Sequence, residues 1–189
     1  HDETPVSAVT NDTTAEETTV KPELEVKDFG GYNFNILVHT QGTPGSWHQH
    51  LDFGWSEEAA GDLINDAVYT RNLIIEERYN VTINSIEADD PYNMGKNAIL
   101  AGTNEYDVIM PYIDQSFTLA EEGLLVDFNE LDGLDITNSW WDQAIIRDLS
   151  LRGRLYVLTG DISMADEELN YGVYFNKGLI DEYSLDDPY

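Results

Sequence analysis

His48 and His50 flank Gln49, and Asp52 follows two places on, which is the nearest the sequence comes to a metal-ligand pattern. On a strand that spacing sets both imidazoles on one side, but a glycine-rich loop imposes no such register. The stretch DFNELDGLD, residues 127–135, has the acids of a calcium loop yet carries Leu131 at its fifth place and its glycine one residue late. It reads as a solvated acidic turn, and no metal or cofactor is expected. No catalytic residue is expected either, because the chain has no phosphate-cradling glycine loop, nucleophile elbow or His-Glu-x-x-His motif. With 37 Asp and Glu among 189 residues, a carboxylate pair at glycosidase spacing arises by chance in any fold, so counting acids identifies nothing.

Two loops offer a different chemistry. One holds Thr40, Gln41, Trp47 and His48, and the other Pro111, Tyr112, Asp114 and Gln115. Flat aromatic faces suit the C–H surfaces of a sugar, and planar carboxylates and amides suit its paired hydroxyls. Neither loop contains a Lys or Arg to pair an anion. Asp114 has two readings: contact with a ligand, or the cap of a helix beginning at Ser116. Neighbours on a helix point about 100° apart, so Trp140 and Trp141 cannot share one buried face. Either Trp141 faces a ligand or both rings pack at the edge of the core. Asp161, in TGDIS, either reaches the same region or accepts backbone N–H groups in its own turn.

The elements that must position these residues alternate in type. YNFNILVHT reads as a strand, with Phe34, Ile36 and Val38 on one side. The stretch DLINDAVYTRNLIIEERYN reads as a helix, capped by Asp62 and stopped at Asn80, with Ile64, Ala67, Val68, Ile75 and Tyr79 on its buried stripe. VTINSIEA is a second strand, NMGKNAILAG a helix closed by Gly102, and YDVIMPY a third strand. A short helix around SFTLAEEG, the apolar LLVDF, a helix near SWWDQAIIRDL and a hairpin through RGRLYVLTGDIS follow. NYGVYFNKGL then runs a strand into a helix capped by Asn176. Strands alternating with helices specify an α/β fold with a mainly parallel sheet flanked by helices, its loops at the carboxyl ends of the strands forming the site.

Composition narrows the partners. Nine basic against 37 acidic residues give a net charge of −28, which repels phosphate backbones and anionic headgroups, so nucleic acid and membrane surfaces are set aside. The chain has no cysteine and thus no disulfide or thiolate chemistry. No run approaches the roughly 20 apolar residues of a membrane helix. Residues 1–28 combine acids and threonines with no aromatic residue and read as a disordered tether.

In order and wording, four stretches resemble extracellular solute-binding proteins of ABC transporters, in the family 1 group that includes maltose-type and other sugar-binding receptors. They are FNILV, INDAVYTRNLIIEERYNVTI, YDVIMPYIDQSFTLAEEGLLVDFNEL and GRLYVLTGDIS with YGVYFNKGLIDEY. The third is the most specific, with an Asp opening the strand and an Ala-x-x-Gly-Leu-Leu helix end. The resemblance implies a type II periplasmic-binding-protein-like clamshell that captures a solute, here a carbohydrate, between two lobes and hands it to permease subunits without chemistry. Residues 29–170 would form the first lobe and 171–189 the crossover strand and helix entering the second, just before the sequence ends. An unfinished lobe would be prone to self-association. The two loops would line the cleft, the position of Asp114 would take a ligand hydroxyl, and Tyr171 would sit at the hinge, packing or stacking. Residues 1–28 match the linker of a lipoprotein held at the surface of a Gram-positive bacterium. An adhesion or scaffold domain on an acidic stalk, or a glycoside hydrolase fragment, is the alternative.

Overall fold

The computed structural model describes residues 24–42, 49–164 and 176–183. Its centre is strand β1 (Tyr32–His39), which pairs in parallel with β2 (Val81–Ala88) on one side and β3 (Val108–Ile109) on the other. The registers join Ile36 to Ser85 and to Val108, and Leu37 to Ile86 and to Ile109. The expected alternation holds for Ile36 and Val38, but Leu37 and His39 on the opposite face are buried too. A strand covered on both faces is what the middle of a parallel sheet requires. Each of Ile36, Leu37 and Val38 contributes about 1.5–3 kcal/mol through burial.

Helix α1 (Leu63–Tyr79) joins β1 to β2. Asp62 caps it by accepting from the N–H groups of Ile64 and Asn65, and Asn80 ends it in the left-handed conformation, φ 50°, as the sequence predicts. Of the predicted stripe only Val68 is fully buried. Asn65, Val68 and Asn72 face inward, whereas Ile64 is 40% and Ile75 37% exposed. The reason is the loop beneath it, whose backbone groups need partners once they leave water. Asn65 accepts from the Ser56 N–H (2.8 Å) and donates to the Ser56 carbonyl (3.1 Å), and Asn72 donates to the Phe53 carbonyl (2.8 Å). This loop also covers the Ile36–Val38 face, since a Cβ on Gly54 would lie 3.6 Å from Ser85, the register partner of Ile36.

Helix α2 (Pro91–Ala101) ends at Gly102, as expected, but starts two residues before the predicted Asn93, with proline at its first turn behind the Asp90 cap. It lies so close to the sheet that a Cβ on Gly95 would be 2.9 Å from Ile109 Cγ2. The strand predicted over YDVIMPY is shorter, and Val108 at the sheet edge is 39% exposed. Asp107 fastens that edge by accepting from the Tyr32 hydroxyl (2.5 Å) and the Asn35 N–H (2.8 Å).

Helix α3 (Ile113–Glu121) begins three residues earlier than predicted and buries Ser116, Leu119 and Ala120. The apolar LLVDF then meets the stretch containing Leu155. Asp127 accepts from the Leu155 N–H (2.9 Å), and the Phe128 N–H donates to the Leu155 carbonyl (2.7 Å). Helix α4 (Gln143–Asp148) is capped by Asp142, so Trp140 and Trp141 precede it and the helical argument about their directions does not apply. The predicted hairpin reduces to a turn at Arg152–Gly153 between Leu151 and Arg154. Its far limb pairs elsewhere, Gly160 bridging antiparallel to Trp141. Asn176 accepts from the Gly178 N–H (2.9 Å) at the start of α5 (Lys177–Tyr183), as expected, while the strand read over residues 170–175 lies outside the described residues.

Candidate functional site

The carboxyl ends of β1 and β3 come together. Thr40 extends β1 by donating to the Ala88 carbonyl (3.0 Å), and the Met110 N–H donates to the Leu37 carbonyl (2.8 Å), which carries the next residues, Pro111 and Tyr112, up beside β1. There the Tyr112 ring stacks on the imidazole of His39, with centroids 4.4 Å apart and planes 29° from parallel. The Tyr112 backbone is held at both ends. Its N–H donates to Gln115 Oε1 (3.1 Å), and its carbonyl accepts from the Ser116 N–H (2.9 Å) and hydroxyl (3.2 Å).

This first group contains Thr40, Pro111, Tyr112 and Gln115, each half-buried, with Gln41 and Asp114 exposed at its margin. Gln41 reaches Glu87 Oε2 through its N–H at 3.4 Å. Asp114 does not cap a helix at Ser116. It stands in the first turn of α3 and is exposed to solvent.

His39 is missing from the residues singled out by sequence. It is 2% exposed, and neither ring nitrogen has a hydrogen-bond partner, although its backbone N–H donates to Gln49 Oε1 (2.8 Å). Burial pushes the imidazole below the ordinary histidine value of 6.5, with the Asp90 carboxylate pulling the other way. The signal was available as a polar residue at an inward position of a strand otherwise buried on both faces.

A second group forms where Trp141 pairs with Gly160. The Asp161 N–H donates to the Trp140 carbonyl (2.9 Å), and the turn is closed by the Ser163 N–H on the Gly160 carbonyl (3.0 Å), not by the exposed Asp161 carboxylate. Trp141 is half-buried, with its indole N–H buried and unpartnered.

The loop after β1 connects the two groups. Gln49 holds His39, and Asp52, 3% exposed, accepts from the Ser163 hydroxyl (3.0 Å) and the Met164 N–H (2.8 Å). Arg71 supports Asp52 by donating to its carbonyl, and its own ionisation is lowered by burial and partly restored by the Asp52 charge. Asp52 is therefore committed to the 163–164 turn. Among the described residues no three metal-ligating side chains cluster. Trp47, His48 and Tyr171 lie outside the described residues. A shallow groove of about 580 Å³ on α1, lined by Asp66, Ala67, Thr70, Arg71, Ile74 and Ile75, involves none of the candidate ligand-binding residues, although Ala67 and Ile75 were expected on the buried stripe of the helix.

Chemically, the first group offers an aromatic ring fixed at the sheet edge, an exposed carboxylate two residues on and the Gln115 amide, with no cation among them. That set can hold hydroxyl groups against a ring face but supplies no activated nucleophile. A family model described as bacterial extracellular solute-binding protein matches residues 56–189. Neither the curated proteins nor the solved structures gave a match.

Proposed function

Since the chain belongs to the bacterial extracellular solute-binding protein family, whose members are in general non-enzymatic, we propose that it captures a small neutral carbohydrate and delivers it to the permease subunits of an ABC importer. The observation that carries the choice of solute is the Tyr112 ring, fixed at the carboxyl edge of the sheet with Asp114 and Gln115 on the next turn and no Arg or Lys among the named site residues. A sugar presents C–H faces to such a ring and hydroxyls to such carboxylate and amide groups, whereas an anion would want a cation.

In this reading residues 29–170 belong to the first lobe and 171–189 lead into the second, and capture works by closure of the lobes over the solute. The acidic tether would hold the protein as a lipoprotein at the surface of a Gram-positive cell. Among the described residues no helix is long and apolar enough to cross a membrane.

Calorimetry of the intact protein against a panel of mono- and oligosaccharides and short peptides tests the proposal. The expected result is heat from a sugar, with affinity about tenfold weaker in Tyr112→Ala, the scale of one aromatic contact. Binding of peptide without sugar would overturn it.

A further inference from the structure

We propose that His39 is the positioning residue for Tyr112 and that it holds the ring only as a neutral imidazole, so that the site loosens when His39 takes up a proton. This rests on the reading of Tyr112 as a solute-facing residue. The geometry leaves the imidazole few alternatives. It is 2% exposed, stacked at 4.4 Å on Tyr112, and neither ring nitrogen has a partner. A neutral imidazole brings one N–H into this setting. An imidazolium brings two donors and a charge, and a buried charged donor without an acceptor carries a larger penalty than a neutral one.

The surrounding charges do not remove that penalty. On α2, Asp90 faces the imidazole, but its carboxylate is engaged as the helix cap by the N–H (3.1 Å) and side-chain amide of Asn93. On β2 the register partner is Ala88, and the neighbouring Glu87 reaches the Gln41 N–H instead. The loop contributes Gln49, whose amide oxygen is taken by the His39 N–H. Before α3 the titratable group is Tyr112 itself. A protonated ring over the tyrosine face gains some cation–π attraction, but that does not replace lost hydrogen bonds to water. Protonation is therefore met by the imidazole leaving its slot. Tyr112 loses the surface it stacks on, while its backbone stays anchored through Gln115 and Ser116.

Because the switch belongs to the protein without solute, it is read first in the free protein, by NMR of ring-labelled histidine and tyrosine between pH 8 and pH 5. His39 is expected to titrate below 6.5, with the Tyr112 ring resonances moving at the same midpoint. In His39→Phe, which keeps a flat ring for stacking, the Tyr112 resonances are expected to stay at their high-pH positions throughout. Tyr112 resonances indifferent to pH in the wild type, or still titrating in His39→Phe, would overturn the proposal. The wild-type co-titration decides the matter even if the variant fails to fold. The solute arm separates this idea from the function it rests on. A sugar that binds is expected to lose about tenfold in affinity from pH 7.5 to pH 5.5 in the wild type only, and equal loss in His39→Phe would sink the switch while leaving the sugar reading intact. Absence of sugar binding with co-titration intact would sink the function instead.

Discussion

Asp127 shows how one side chain can fasten two distant stretches. Its carboxylate accepts the Leu155 N–H, and that bond, with those from Asn129, holds its ionisation below the usual carboxylate value of 3.8. A depressed carboxyl contributes stability that is complete above the unfolded value and is lost as pH falls through the folded one. Asp127→Asn should therefore lower the thermal midpoint at pH 7 and flatten its further fall below pH 4. Equal acid slopes in the two proteins would show that the carboxylate charge is not what matters. At this scale the sequence was informative where a residue acts locally. Asp62, Asn80 and Asn176 were readable as caps because a cap bonds within a few positions. Asp52, Asp127 and His39 were not, since their partners lie far along the chain and leave no spacing to detect.

Among the elements, β1, α1 and β2 were legible because periodicity and end signals agree over a long stretch. The face of α1 was misread because hydropathy favours Ile64 and Ile75, while the loop beneath needs the amides of Asn65 and Asn72. The stretch before α4 was misread as helix because its pairing partner, Gly160, is 19 residues away from Trp141. That pairing permits a sharp test. Gly160 has φ +151°, and a Cβ there would stand 2.0 Å from the Trp140 carbonyl oxygen, a backbone atom with nowhere to go. Gly160→Ala should cost about 2–3 kcal/mol in denaturant unfolding. It should also change the near-ultraviolet signal of the tryptophans. A variant as stable as the wild type would mean that the Trp141–Gly160 bridge does not form.

At the scale of the whole molecule, a net charge of −28 acts on every element at once. Among the described residues the ion pairs are few and lie at the surface, Arg147–Asp148 exposed and Lys96–Glu122 partly so, and they offset little of this self-repulsion. Raising sodium chloride from about 10 mM to 150 mM shortens the screening length from roughly 30 Å to 8 Å, and the melting midpoint should rise with it in calorimetry. A midpoint that falls instead would mean that specific pairs outweigh the repulsion. The α/β class was legible from the alternation of elements, and the arrangement of the candidate site was not, because it depends on two groups tied through the loop after β1. The Asp52 tie has a consequence in time. Its two partners lie 111 and 112 residues downstream, so while the chain is being synthesised this carboxylate has no turn to hold until Ser163 and Met164 have emerged. The closure is among the most non-local in the molecule, and loops of that length close late and slowly. The amino-terminal strands can pair early, but the two groups of the candidate site are tied through Asp52 only once residues 163 and 164 have emerged.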